Sequence, residues 1–260
     1  MSAALGGAEA LLIDLDGVLY VEDEPVEGAL EAIAELRERG LGLRFVTNTT
    51  AHSRPQTLAK LERLGFEVGE SELVTPAALA RRRCEAAGHC RVALIMNEDV
   101  KADFDGLEET DESPDAVIMG DLGEAFGFAI LNRAFRMVMD GAELIALQKN
   151  RFWLTADGLS LDAGPFVAAI EYASGREALV VGKPSPSFFE LVLGELGVAS
   201  GEAAMIGDDV ETDVGGALDA GLRAVLVRTG KYREDFVTRS GIEPTATVDS
   251  IADVPELLGR

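Results

Sequence analysis

Apolar residues come along this chain in short dense blocks, with helical patterns between them. Residues 10–15, "ALLIDL", apolar but for Asp14, predict a buried strand. Residues 28–39 place Leu30, Ile33, Ala34 and Leu36 on one predicted helical face, and Gly40 ends the helix. "LGLRFVTN", 41–48, predicts a second strand. Ser53 then opens a helix with Pro55 in its first turn, running through "QTLAKLERLG". Strand, helix, strand, helix is the pattern of a parallel sheet.

The last third repeats it. "ALVVGK", 178–183, predicts a strand, Ser185 and Pro186 open a helix, and "EAAMIGDD", 202–209, predicts a strand. "VETDVGGALDAG" predicts a short helix closed by Gly221, and "RAVLVRTG", 223–230, another strand. Between them, "CRVALIMN", "PDAVIMGD", "AELIALQ" and "RFWLTA" predict strands. "FAILNRAFRMVMDG" and "PFVAAIEYASG" predict helices. The acidic stretch "DGLEETDESPD" predicts a solvated connection. The expected architecture is α/β: a Rossmann-like parallel-sheet core, residues 1–78 and 180–260, interrupted by an inserted α/β unit, residues 79–179.

Charge and composition narrow the partners. The formal net charge of −23 argues against nucleic acid and anionic membranes, which both demand a basic surface. No apolar run approaches the roughly 20 residues that span a bilayer. "MSAALGGAEA" has no basic flank or signal-like apolar block, so a cytoplasmic protein is expected. Cys84 and Cys90 are too few for an oxidised scaffold. His89 beside Cys90 lacks the second pair that a tetrahedral metal site needs. An exposed apolar edge on the inserted unit would support a homodimer.

In an open parallel sheet, ligands bind beyond the carboxyl ends of the strands. Four predicted strands carry polar residues there: Asp14 and Asp16; Thr47 and Asn48; Lys183; Asp208 and Asp209, with Asp213 in the helix behind. Any one could be a loop residue or helix cap, but four converging on one edge predict a site. Asp14, Asp208 and Asp209 offer hard oxygens suited to Mg²⁺. With Lys183, such a cation would offset the clustered acids and bind the oxygens of a phosphoryl group, which Thr47 and the backbone at Asn48 would also hold. A carboxylate is ionised at neutral pH, so Asp14 can attack phosphorus without a base to activate it. Asp16 can protonate the leaving oxygen and later activate water. Gly17 lets the chain turn away.

At these residues the sequence resembles the haloacid dehalogenase (HAD) superfamily. "DLDGVLY", "VTNTT", "VVGKPSP" and "MIGDDVETDVGGALDAG" match its four motifs in order, and the gap at 79–179 matches the position of a class II cap. The resemblance implies a Mg²⁺-dependent phosphatase. Asp14 is then nucleophile and metal ligand, and Asp16 the acid–base residue with its carbonyl as a second ligand. Thr47 and Asn48 bind phosphate, and Lys183 steadies nucleophile and phosphate. Asp208 is a further ligand, with Asp209 and Asp213 in support. The substrate implied is a small phosphorylated compound chosen by the cap. "ILNRAF", "GPFVAAIEYASG" and "VRTGKYR" look similar to members that extend the cleaved bond from P–O to P–N and pyrophosphate. Asp121, Arg151, Trp153 and Phe166 are cap positions that could face a substrate, and His52 follows the phosphate-binding turn as a surface residue. The alternatives are a phospho-acceptor domain, disfavoured by Asp16 and the insertion, and a non-catalytic phosphate-binding protein on the same fold.

Overall fold

The computed structural model describes residues 3–155 and 158–259, apart from the side chains of 153–155, 158 and 159. The chain forms two compact units. One comprises residues 1–47, 58–74 and 183–260, the other 48–57 and 75–182. Residues 48–57, 75–78 and 180–182, read in the sequence with the first unit, group with the second.

The first unit is built on a six-stranded sheet. Its order is Ala246–Val248, Arg223–Val227, Ala203–Gly207, Ala10–Asp14, Gly42–Val46 and Leu73–Val74, and every pairing is parallel. Ala10–Asp14 is central and wholly buried, with Ile13 opposite Ile206 on one side and Phe45 on the other. That explains its unbroken apolar run, since no alternation is tolerated when both faces are covered. Leu11, Ile13, Phe45, Leu61 and Ile206 share one core with the helix Ala29–Glu38. This helix buries Ala29, Ala32, Ile33 and Leu36, while Leu30 and Ala34 face outward. Ile33 and Leu36 of the predicted stripe are buried, and Ala29 and Ala32 stand where Leu30 and Ala34 were expected.

The second unit has its own parallel sheet, ordered Leu179–Val180, Glu143–Ala146, Ala116–Met119, Arg91–Ile95 and Glu108–Glu109. The helices Phe128–Met139 and Ala163–Ser174 lie against each other, and Val117, Met119, Val138 and Val167 share its core. Two readings are corrected here. The acidic connection contains the edge strand Glu108–Glu109, paired with Arg91–Val92; an edge position lets its side chains stay in water. The strand near residue 178 does not join the first sheet. Leu179 pairs with Ile145, and both flanks of Ala10–Asp14 are already occupied. Lys183, three residues beyond Val180, belongs to the first unit.

Candidate active site

Each acid arrives where its strand runs out. Asp14 is the last residue of the central strand, and Asp208 follows Ala203–Gly207 in the adjacent one. Asp213 lies on the π-helical turn Val210–Gly215, which Asp209 caps by accepting the N–H groups of Glu211 and Thr212, both at 3.0 Å. The carboxylates of Asp14, Asp208 and Asp213 each place an oxygen within 4.8 Å of the others. All three are buried, as is Lys183.

Lys183 ties the group together. Its Nζ donates to Asp14 Oδ1 at 2.5 Å and lies 2.7 Å from Asp213 Oδ1. The other oxygen of Asp213 accepts the Asp209 N–H at 3.2 Å. Asp208 differs: its Oδ2 accepts the Lys231 N–H at 2.7 Å, but its buried Oδ1 has no hydrogen-bond partner among the described residues. Burial raises the Asp14 carboxyl above its ordinary pKa, Lys183 opposing this and Asp208 adding to it. Burial likewise raises Asp208 and Asp213 to about 6 each. For Lys183 burial alone would act downward, but Asp14 and Asp213 outweigh it and hold the ammonium above its usual range.

Three buried acids gather about one buried ammonium, with Lys231 adding attraction from nearby, so negative charge is in excess. An all-oxygen donor set, that excess charge and the unpartnered Asp208 oxygen fit a hard divalent cation of the Mg²⁺ kind. Two glycines keep the place open. Gly17 adopts φ +86° and Gly230 φ +60°; a Cβ on either would stand 1.9 or 2.1 Å from Asp208 Oδ2. Thr229 Oγ1 donates to the Gly17 carbonyl and locks the two loops together.

The predicted residues fall into three sets. Asp14, Lys183, Asp208 and Asp213 come together, with Asp209 supporting through the backbone. Asp16 is exposed at the start of the next loop, and Thr47 is buried at the end of Gly42–Val46, its N–H donating to Val74 at 3.2 Å. Asn48 groups with the second unit, where Gly182 lies close to its Oδ1.

In the second unit, Phe166 stacks on Phe126 with ring centroids 4.0 Å apart, and Asp121 accepts the Gly123 N–H at 2.9 Å. Arg151 is exposed beside the Phe152 ring, and the side chain of Trp153 lies outside the described residues. His52 is exposed, and His89 pairs with Glu143 at 2.8 Å. Sequence reasoning missed the stretch 229–231, which contributes the Thr229 hydroxyl, the missing Cβ of Gly230 and the Lys231 N–H to the site. Its place after the strand Arg223–Val227 was the available signal.

Comparison with known proteins gives the family. A model of the haloacid dehalogenase-like hydrolases matches residues 11–108, and a HAD-hydrolase-like model matches 180–254. The human haloacid dehalogenase-like hydrolase domain-containing protein 2 is 44% identical over 248 residues, 95% of each chain. The bovine phospholysine phosphohistidine inorganic pyrophosphate phosphatase is 40% identical, covering 98% of this chain and 95% of the relative. Among solved structures, a 4-nitrophenylphosphatase from Thermotoga maritima superposes with a TM-score of 0.87 at 27% identity, covering 98% and 99% of the two chains. A glycerol phosphate phosphatase from Mycobacterium tuberculosis, in complex with magnesium, superposes at 0.80 and 28% identity, covering 99% of this chain and 80% of that one. The chain belongs to the haloacid dehalogenase superfamily, as a phosphoric ester hydrolase.

Proposed function

We propose that this protein is a Mg²⁺-dependent phosphatase that hydrolyses a small phosphorylated compound through an aspartyl phosphate on Asp14. The observation that carries the proposal is the buried Asp14 carboxylate, held at 2.5 Å by Lys183 beside two further acids at the sheet edge. Held this way, one oxygen of Asp14 is fixed and the attacking geometry is set before substrate arrives.

The residues divide the work as follows. Asp14, Asp208 and the carbonyl of Asp16 would hold Mg²⁺, and Asp208 Oδ1 is the donor most in need of it. The cation supplies positive charge against the phosphoryl oxygens. Lys183 serves the same oxygens, while Asp213 and Asp209 keep its ammonium and the following turn in place. Thr47 and Asn48 bind the phosphoryl group. Asp16 gives its proton to the leaving atom and then takes one from the water that releases phosphate from Asp14.

The inserted unit selects the leaving group. The names of the relatives make phosphoamidates and pyrophosphate part of the candidate range, beside phosphate monoesters. No helix among the described residues is long and apolar enough to cross a membrane. A cytoplasmic setting goes with the two free thiols, Cys84 and Cys90. A homodimer through exposed side chains of the inserted unit, Phe128 and Tyr172 foremost, completes the reading.

The test is phosphate release from a panel of phosphate monoesters, phosphoamidates and pyrophosphate, with Mg²⁺ or with chelator, beside Asp14→Asn. Release that needs Mg²⁺ and disappears in the variant is expected. Undiminished release by Asp14→Asn would refute the covalent route.

A further inference from the structure

The turn that carries Asn48 runs through residues 49–53 before the helix Arg54–Arg63 begins, so whatever fixes the start of that helix fixes the far end of the turn. Local residues supply part of the fixing. Ser53 N–H donates to Gln56 Oε1 at 2.9 Å, Thr57 N–H donates to Ser53 O at 3.0 Å, and Pro55 has no N–H to satisfy. The first turn of the helix contains no acidic residue, although the positive end of a helix favours a carboxylate.

That carboxylate comes from a distant part of the chain. Asp103 accepts the Arg54 N–H at 3.0 Å on Oδ1 and 3.1 Å on Oδ2. Asp103 lies on the single turn Ala102–Phe104, which is anchored without help from Arg54. Val100 and Phe104 are buried on either side of it, and Arg81 Nη1 donates to the Asp103 carbonyl at 3.4 Å. Asn97, at the head of the same stretch, donates through Nδ2 to the Thr50 carbonyl at 3.4 Å. Both contacts lie within the second unit, to which residues 48–57 belong. The turn after Asn48 is thus held at Thr50 and at Arg54 by two side chains of one short, packed segment.

We propose that Asp103 is a positioning residue for phosphoryl binding: by accepting the Arg54 N–H it fixes the turn 49–53, and with it the presentation of Asn48 to the phosphoryl group. The inference rests on the role given to Asn48 above. In this role Asp103 acts through the backbone of the turn and not on the substrate. Its loss therefore weakens binding of the phosphoryl group in ground and transition states alike, which raises KM and spares kcat.

The experiment measures kcat and KM for 4-nitrophenyl phosphate, Ki for inorganic phosphate, and amide hydrogen exchange across residues 49–54. Asp103→Ala removes the acceptor. It is expected to raise KM and Ki together about tenfold, to leave kcat within about threefold, and to speed exchange at the Arg54 amide. Asp103→Asn keeps a neutral acceptor and is expected to raise both constants only about threefold; it carries the comparison should Asp103→Ala not fold. Asn48→Ala is expected to raise Ki at least as much as Asp103→Ala does, and adding Asp103→Ala to it raises Ki no further. An unchanged Ki in the Asp103 variants, even with faster exchange, would show a contact that serves stability alone and overturns the proposal. So does a loss that adds in full to that of Asn48→Ala. If Asn48→Ala itself leaves Ki unchanged, the reading of Asn48 fails and this inference with it.

Discussion

Asp208→Asn separates what the acidic cluster costs the fold from what it does. Burial raises the Asp208 carboxyl from 3.8 to about 6, and Asp213 and Asp209 add to the rise against the Lys231 N–H. Two units correspond to about 3 kcal/mol. The sign follows from proton binding. The folded state holds this proton more tightly than the unfolded chain, so the penalty is fully present above about pH 6. It is relieved as pH falls from about 6 to about 4, and it is absent where both states are protonated. Asparagine keeps the shape and can still accept the Lys231 N–H through its amide oxygen. In chelator near neutral pH, Asp208→Asn should therefore be the more stable protein by on the order of 3 kcal/mol, or roughly 5–10 °C in Tm. The gap should close on acidification through that window.

Mg²⁺ should then reverse the order. A ligand at a thousand times its Kd stabilises by about 4 kcal/mol, more than that deficit, and only the wild type retains the unpartnered oxygen that calls for it. The assay is calorimetry or dye-monitored melting of both proteins across that pH range, with chelator and with Mg²⁺. A variant no more stable than wild type at neutral pH in chelator would refute the reasoning. So would a gap that ignores pH. Either result would mean that the cluster's charge is already compensated within the fold.

Lys183→Met leaves Asp14 and Asp213 buried without their cation; a cost of about 3–5 kcal/mol in urea unfolding and loss of at least about a hundredfold in kcat/KM are expected. Gly230→Ala puts a methyl 2.1 Å from Asp208 Oδ2, so the Mg²⁺-dependent rise in Tm and the activity should vanish together while the far-ultraviolet circular dichroism spectrum is unchanged. Asp209→Ala removes the acceptor of two N–H groups at the turn holding Asp213. It should cost about 1–2 kcal/mol in stability and weaken Mg²⁺ affinity about tenfold or more by titration calorimetry.

The acids were legible because each breaks an apolar run at the point where a parallel strand delivers its ligand-facing end. Asp14 and Asp208 follow five buried residues or close them, and such runs have few other readings. What stayed hidden was of another kind. "ALVV" reads equally well as a strand of either sheet, because its pairing with Ile145 and Ala146 is set by which edge remains free once the central strands have paired. The residues of 229–231 act through an N–H, a missing Cβ and a hydroxyl aimed at a carbonyl, and none of these leaves a pattern in hydropathy or charge. Strand ends thus announce the groups that react, while the groups that hold them in place are drawn from backbone and loop. A site read from its charged residues alone is therefore incomplete in its positioning parts, and Gly230→Ala probes one of them.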